Sequence, residues 1–178
     1  NIEILRHSSD DQLILMPTTN SGYGIGPVDE KCTEETLLKP ISQYAIEKVL
    51  VEQVLMEKRS AVSFRLATVF GVSPRMRLDL LVNDFVYKAV NDGVIVLFES
   101  HFRRNYIHLR DVVNAFFCAL NHPDNYKGEI FNVGLSDANL TKLQLCEQIK
   151  RHVPPLHIIQ HEMKQDPDQR DYLVSNEK

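Results

Sequence analysis

The sequence predicts a mixed α/β chain, and three observations carry that reading. Short apolar runs rich in β-branched residues, at Gln12–Met16, Ala61–Phe70 and Val94–Phe98, alternate with longer stretches of helix-forming residues. Glycine and proline stand between them, at Gly71 to Pro74, Gly93, Pro123 and Pro154-Pro155. A length of 178 residues, 43% of them hydrophobic, is enough to bury a core and by size corresponds to one domain.

Taken in order, Gln12–Met16 suits a buried parallel strand, with Thr18 and Thr19 at its C-terminal end, where open α/β sheets place ligands. Residues Tyr23 to Pro40, rich in glycine and acids, read as an irregular loop. Ile41 to Arg59 contains neither glycine nor proline and is expected to be helical, with apolar residues on more than one stripe, so that two faces are buried. A strand over Ala61–Phe70 follows. Asp79 is expected to cap a helix running to Asp92, with Gly93 at its C-terminal cap. Strands at Val94–Phe98 and Asn105–Leu109, a helix at Val112–Asn121 capped by Asp111, and a strand at Glu129–Val133 come next. Thr141 and Gln144 have capping-box spacing and open a helix ended by Pro154-Pro155, before a last strand at Leu156–Gln160.

A formal charge of -4 without a basic run argues against a nucleic-acid surface, and no stretch approaches the roughly 20 apolar residues of a membrane span. A soluble, cytoplasmic protein is expected. Cys32, Cys118 and Cys146 are odd in number and widely spaced, which fits reduced thiols better than disulfides or a zinc site, and Cys118 and Cys146 are expected in the core.

The chemistry rests on Tyr44 and Lys48. Four residues is about one helical turn, so the phenol and the ammonium share a face. An ammonium beside a phenol favours the phenolate over its usual pKa of about 10, which makes tyrosine a general acid/base. Of the six tyrosines only Tyr44 has a lysine four positions on.

With Thr19-Asn20-Ser21-Gly22-Tyr23-Gly24, Tyr44 to Lys48, Phe64 to Gly71, Arg104 to Asp111, Ile130 to Gly134 and Asp168 to Lys178 in this order, the chain resembles the extended short-chain dehydrogenase/reductase family. These are the NAD-dependent nucleotide-sugar epimerases and dehydratases. The resemblance covers nearly the whole chain. It implies the C-terminal half of a Rossmann-type doubly wound parallel sheet plus a small α/β substrate-binding domain. The nucleotide-domain part would span residues 1–75 and the substrate domain 76–178, with a strand and helix at about 105–122 returning to the first. The Gly-rich turn that holds a dinucleotide pyrophosphate does not occur here. Against the family, the chain starts just before the fifth strand and stops short of the usual end, so it is expected to be an internal piece that alone binds NAD weakly and is inactive.

The resemblance also implies roles. Thr19 matches the hydroxyl of a catalytic triad, Tyr44 the base, and Lys48 the residue that holds the cofactor ribose; Ala67 would lie beside the cofactor. Thr68 stands where the epimerases often have a substrate-binding Asn, Asn83 matches a sugar or diphosphate contact, and Arg104 matches the diphosphate arginine. Asp168 and Tyr172 match positions near the nucleotide. At the second diphosphate arginine the chain has Gln165, with Lys164 and Arg170 near enough in sequence to substitute. His108 reads as structural. The implied cofactor is NAD rather than NADP, the substrate a nucleotide-diphosphate sugar, and the assembly a homodimer through Ile41–Arg59 and Asp79–Asp92.

Asn20 and Ser21 separate two reactions. The family's dehydratases carry carboxylates directly after the triad threonine, and an amide and a hydroxyl cannot replace their proton transfer. Epimerisation is expected; dehydration, reduction, or a dinucleotide-binding remnant without chemistry are the rivals. Intact Thr19, Tyr44 and Lys48 argue against the remnant.

Overall fold

A computed structural model describes residues 2–9, 11–27, 29–58, 60–161 and 168–178. Its centre is a parallel sheet of three strands in the order β1 (Ile14–Thr19), β3 (Ala61–Leu66), β7 (Ile130–Val133). Register places Thr19 beside Leu66, and Leu66 beside Val133, so the C-terminal strand ends form one edge. That edge carries the site.

Alternation along β3 sends its side chains to two different layers. Val62 and Phe64 pack with Val112, Phe116 and Ala119 of α4 (Leu109–Asn121). Ala61 packs instead with Val51 and Leu55 of α2 (Gln43–Leu55) and with Leu5 of a short α1 (Ile2–His7). Both faces are covered, which is why β3 reads as a continuous apolar run interrupted only by Ser63 and Arg65.

The stretch expected as one strand over Ala61–Phe70 is two. It breaks at Ala67, and β4 (Thr68–Phe70) leaves the central sheet to pair in parallel with β6 (Arg103–His108), which pairs antiparallel with β8 (Asn139–Thr141). A second core lies here, where α3 (Leu81–Asn91) and α5 (Lys142–His152) pack around Tyr106 and beside β5 (Val94–Leu97), itself paired with β9 (His157–Gln160). Thus α4 returns to the central sheet, whereas β6 stays in the second one. The loop expected over 23–40 contains β2 (Lys31–Cys32), which pairs with β10 (Leu173–Val174) and ties the C-terminal tail to the loop.

One helix start and two caps differ from expectation. Ser42 caps α2 by accepting from Ala45 N, which moves the helix start past Ile41. Asp79 does not cap α3, because its carboxylate is taken by Arg77 at 3.1 and 2.5 Å and Leu80 occupies the cap position. Asp111 lies in the first turn of α4, and His108 caps that helix through Nδ1, which accepts from Arg110 N at 3.2 Å. The structural reading of His108 holds, although the ring is only half-buried. The Thr141–Gln144 capping box forms with both of its bonds.

Cys118 is exposed on α4 rather than in the core, while Cys32 and Cys146 are buried. The expected second buried face of α2 stays open, with Ile46 and Leu50 exposed. Among the described residues no helix is long and apolar enough to cross a membrane, and no cluster of side chains could hold a metal ion.

Candidate active site

Thr19 ends β1 and caps the 3-10 turn Asn20–Tyr23, accepting from Ser21 N at 3.1 Å while its hydroxyl donates to Ser21 Oγ at 3.0 Å. Gly24 closes that turn at φ +64, and a Cβ there would meet the Lys39 carbonyl oxygen, so only glycine fits. Tyr44 occupies the first turn of α2 with 56% exposure, and Lys48, one turn on, donates to the Pro17 carbonyl at 3.1 Å. Among the described residues the Lys48 ammonium has no carboxylate in ion-pair range.

Thr19 and Tyr44 face a cavity of about 420 Å³, within the size range of small-molecule sites. Its wall brings together Thr19, Tyr44, Ala67, Thr68, Arg104 and Asp168 from the expected set. It also includes Arg170, named above as a possible substitute for the second diphosphate arginine, and Arg77, Asp79, Asp84 and Lys142, which spacing could not identify because they come from separate segments. Lys48, one turn after Tyr44 on α2, does not line this wall. Asn83 and Tyr172 do not line it. Asn83 is buried and holds the loop before α3, accepting from Gly71 N at 3.3 Å and donating to Arg77 O at 2.9 Å. Tyr172 is 1% exposed and lies behind the wall, with the Arg104 guanidinium 5.6 Å above its ring. Lys164 and Gln165 lie outside the described residues.

Arg104 is 2% exposed and is fixed by Nη1 donating to the Arg103 carbonyl at 2.8 Å. Its Nη2 lies 3.0 Å from Asp168 Oδ1 but off the line of its N–H bonds, so the contact is an ion pair rather than an aligned hydrogen bond. Arg170 grips the same carboxylate with Nε and Nη2 at 2.7 and 2.5 Å. Burial alone would raise the Asp168 carboxyl, but the Arg170 hydrogen bonds and the two guanidinium charges outweigh it and hold the group well below the usual carboxylate range. Next to it Asp171 binds Arg103 Nε and Nη2 at 3.0 and 3.1 Å and accepts from its backbone N at 2.8 Å. Two acid–arginine couples therefore fasten the tail to the start of β6.

Below this edge of the sheet sits a group that the sequence reading missed. Glu52, one turn after Lys48, is buried and accepts from Thr18 Oγ1 at 3.0 Å, Ser63 Oγ at 2.6 Å and Arg65 Nη2 at 2.7 Å. Arg65 continues to Tyr23 Oη at 3.0 Å, and Tyr23 donates to Asn132 Oδ1 at 2.7 Å. Burial pushes the Tyr23 phenol up to about 12, so it remains a neutral member of this network. In the same turn as Tyr23, Asn20 is buried, and among the described residues neither of its side-chain amide atoms has a hydrogen-bond partner.

A family model described as the NAD dependent epimerase/dehydratase family matches residues 2–134. The chain is 29% identical over 139 residues to a dTDP-4-dehydro-6-deoxyglucose reductase of Escherichia coli, covering 74% of this chain and 43% of that protein. Among solved structures it superposes on the UDP-glucuronic acid 4-epimerase of Bacillus cereus, in complex with UDP-glucuronic acid and NAD, with a TM-score of 0.80 at 20% identity, over 98% of this chain and 56% of that one. On the dTDP-glucose 4,6-dehydratase of Bacillus anthracis, in complex with NAD, the TM-score is 0.76 at 22% identity, over 92% and 52%. The chain thus spans about half the length of these relatives.

Proposed function

Because the chain belongs to the NAD dependent epimerase/dehydratase family, we propose that the protein of which it forms part epimerises a nucleotide-diphosphate sugar. The observation that carries this reading is the cavity wall itself. Thr19, Tyr44 and Arg104 converge there, while the two positions after Thr19 hold an amide and a hydroxyl instead of carboxylates.

In this reading Tyr44, as its phenolate, takes the proton of a sugar hydroxyl and becomes the phenol, and Thr19 hydrogen-bonds the same oxygen. NAD, when bound, accepts and returns the hydride, so that a transient ketone can be reduced from its other face. The residues present fit that cofactor. Lys48 would offer ribose hydroxyls an ammonium that has no carboxylate partner among the described residues, and Ala67, at the break between β3 and β4, would lie beside the cofactor. Arg104, rigid and desolvated, suits the diphosphate. NAD is favoured over NADP by the family.

We assign residues 1–75 to the cofactor domain and most of 76–178 to the substrate domain. A homodimer through α2 and α3 is supported by the exposed apolar residues Ile46 and Leu50 on the one and Val86, Tyr87 and Val90 on the other. Sedimentation of the full-length protein tests this assembly: a dimer is expected, and a monomer at high concentration contradicts it.

A reductase is the second reading, favoured by the identity to a sugar reductase. It uses the same residues but consumes reduced cofactor. Incubating the full-length protein with a panel of nucleotide sugars separates the two: an epimer formed without net change in NAD supports epimerisation, and stoichiometric NADH consumption supports reduction.

A further inference from the structure

Among the described residues three carboxylates reach the cavity wall, and they differ in what holds them. Asp79 gives both of its oxygens to Arg77, at 3.1 and 2.5 Å. Asp168 lies between Arg104 and Arg170. Asp84, in the first turn of α3, has no arginine partner among these residues. Its Oδ2 accepts from Lys88, one turn further along the same helix, at 2.7 Å, and no donor of the described residues reaches its Oδ1. Lys88 does not line the cavity, and its side chain is 45% exposed. A solvent-facing pair four residues apart on a helix is weak and screened, so Lys88 fixes the orientation of the Asp84 carboxylate without cancelling its charge toward the cavity.

A carboxylate can only accept hydrogen bonds. On this wall Asp84 therefore reads donors, and it sorts the parts of a nucleotide sugar by charge. A diphosphate is anionic and is repelled by it. A sugar hydroxyl brings the proton that Oδ1 lacks, and a hydrogen bond to an ionised acceptor is stronger than one between neutral groups. A sugar that carries its own carboxylate brings a second negative charge instead, into a cavity where water screens it less than in bulk. Arg77 on the same wall does not offset this, because its Nε and Nη2 are committed to Asp79. We propose, resting on the nucleotide-sugar reading above, that Asp84 is a specificity residue whose Oδ1 accepts from a hydroxyl of the sugar, so that the substrate carries a neutral, hydroxylated sugar and not a uronic acid. The chain would differ in this from its Bacillus cereus relative, whose structure holds UDP-glucuronic acid.

The test uses the full-length protein as wild type, Asp84→Asn and Asp84→Ala, with glucose and glucuronic acid each presented as the UDP and the dTDP conjugate. The two sugars differ only at C6, a hydroxymethyl group in one and a carboxylate in the other. Binding is titrated by calorimetry with NAD present, beside UDP and dTDP alone. Wild type is expected to bind the glucose conjugate at least about tenfold more tightly than the glucuronic acid conjugate, because bringing like charges together costs affinity. Asp84→Asn keeps an accepting oxygen and removes the charge, so the glucuronic acid conjugate should gain about tenfold while the glucose conjugate changes less. Asp84→Ala should weaken the glucose conjugate about tenfold and leave UDP and dTDP unchanged. A gain of affinity for the acidic sugar cannot come from misfolding, so the asparagine variant decides even if the alanine variant does not fold. A wild-type protein that binds a free diphosphate but prefers the acidic conjugate, binds both conjugates equally or binds neither overturns the assignment and leaves the nucleotide reading in place, and so does a ratio that Asp84→Asn leaves unmoved. A wild-type protein that binds neither the conjugates nor the free diphosphates overturns the nucleotide-sugar reading itself, and the assignment with it.

Discussion

Glu52 and Arg65 form an ion pair of 2.7 Å with both side chains 5% exposed, and through it the helix bearing Tyr44 and Lys48 is bolted to the centre of the sheet. The same carboxylate also binds Thr18, the residue before Thr19. One buried group therefore fixes the relative placement of both halves of the proposed triad.

Removing one partner of such a pair leaves an uncompensated buried charge, which costs about 3–5 kcal/mol. Glu52→Ala is expected to destabilise the protein by that order, and Glu52→Leu combined with Arg65→Met to recover most of the loss. Denaturant unfolding of the three proteins checks this, and a single variant as stable as the wild type contradicts it.

Tyr44→Phe removes one exposed hydroxyl and leaves the ring. Turnover by the full-length protein is expected to fall by orders of magnitude, with a change in stability within about 0.5 kcal/mol. Activity close to wild type would take Tyr44 out of the mechanism.

Acid should release the tail. Hydrogen bonds from Arg170 and the charge of Arg104 depress Asp168, and the Arg103 fork depresses Asp171, each against the upward pull of its own burial. A depressed folded pKa contributes stability that is fully present above the unfolded value of about 3.9 and is lost as pH falls through the folded value. Amide exchange or proteolysis at residues 168–174 is therefore expected to stay slow at neutral pH and to accelerate below about pH 4. A tail equally protected at pH 2 and pH 7 would show that these couples do not hold it.

The three cysteines should differ in reactivity. Burial pushes the Cys32 thiol up to about 11 and Cys146 up to about 12, whereas Cys118 is exposed. A thiol-specific reagent at neutral pH is expected to modify Cys118 first and the other two only after unfolding, read by peptide mass spectrometry. Early labelling of Cys32 or Cys146 would contradict the burial.

Much of this was legible in the sequence where local physics decides. The Tyr44–Lys48 spacing, the Thr141–Gln144 capping box and the β-branched run at Ala61–Leu66 each form as their residues dictate. The break at Ala67 was not, because Leu66 and Thr68 both suit strands and only sheet topology sends them to different partners. Asp79 and Asp111 carry a helix-capping signal, but competing partners or a different helix start take them out of that role. Glu52 sits on a helix whose neighbours look like an exposed face, and its burial depends on Arg65, thirteen residues away on a strand. Arg77 and Lys142 reach the cavity through tertiary contacts that no spacing encodes.

The proposed reaction oxidises and re-reduces a nucleotide sugar without expelling water, since Asn20 and Ser21 supply no carboxylate. Mass spectrometry of the nucleotide sugar after incubation with the full-length protein tests it most directly. A product of unchanged mass with an inverted stereocentre is the predicted result, and a product lighter by one water would contradict it.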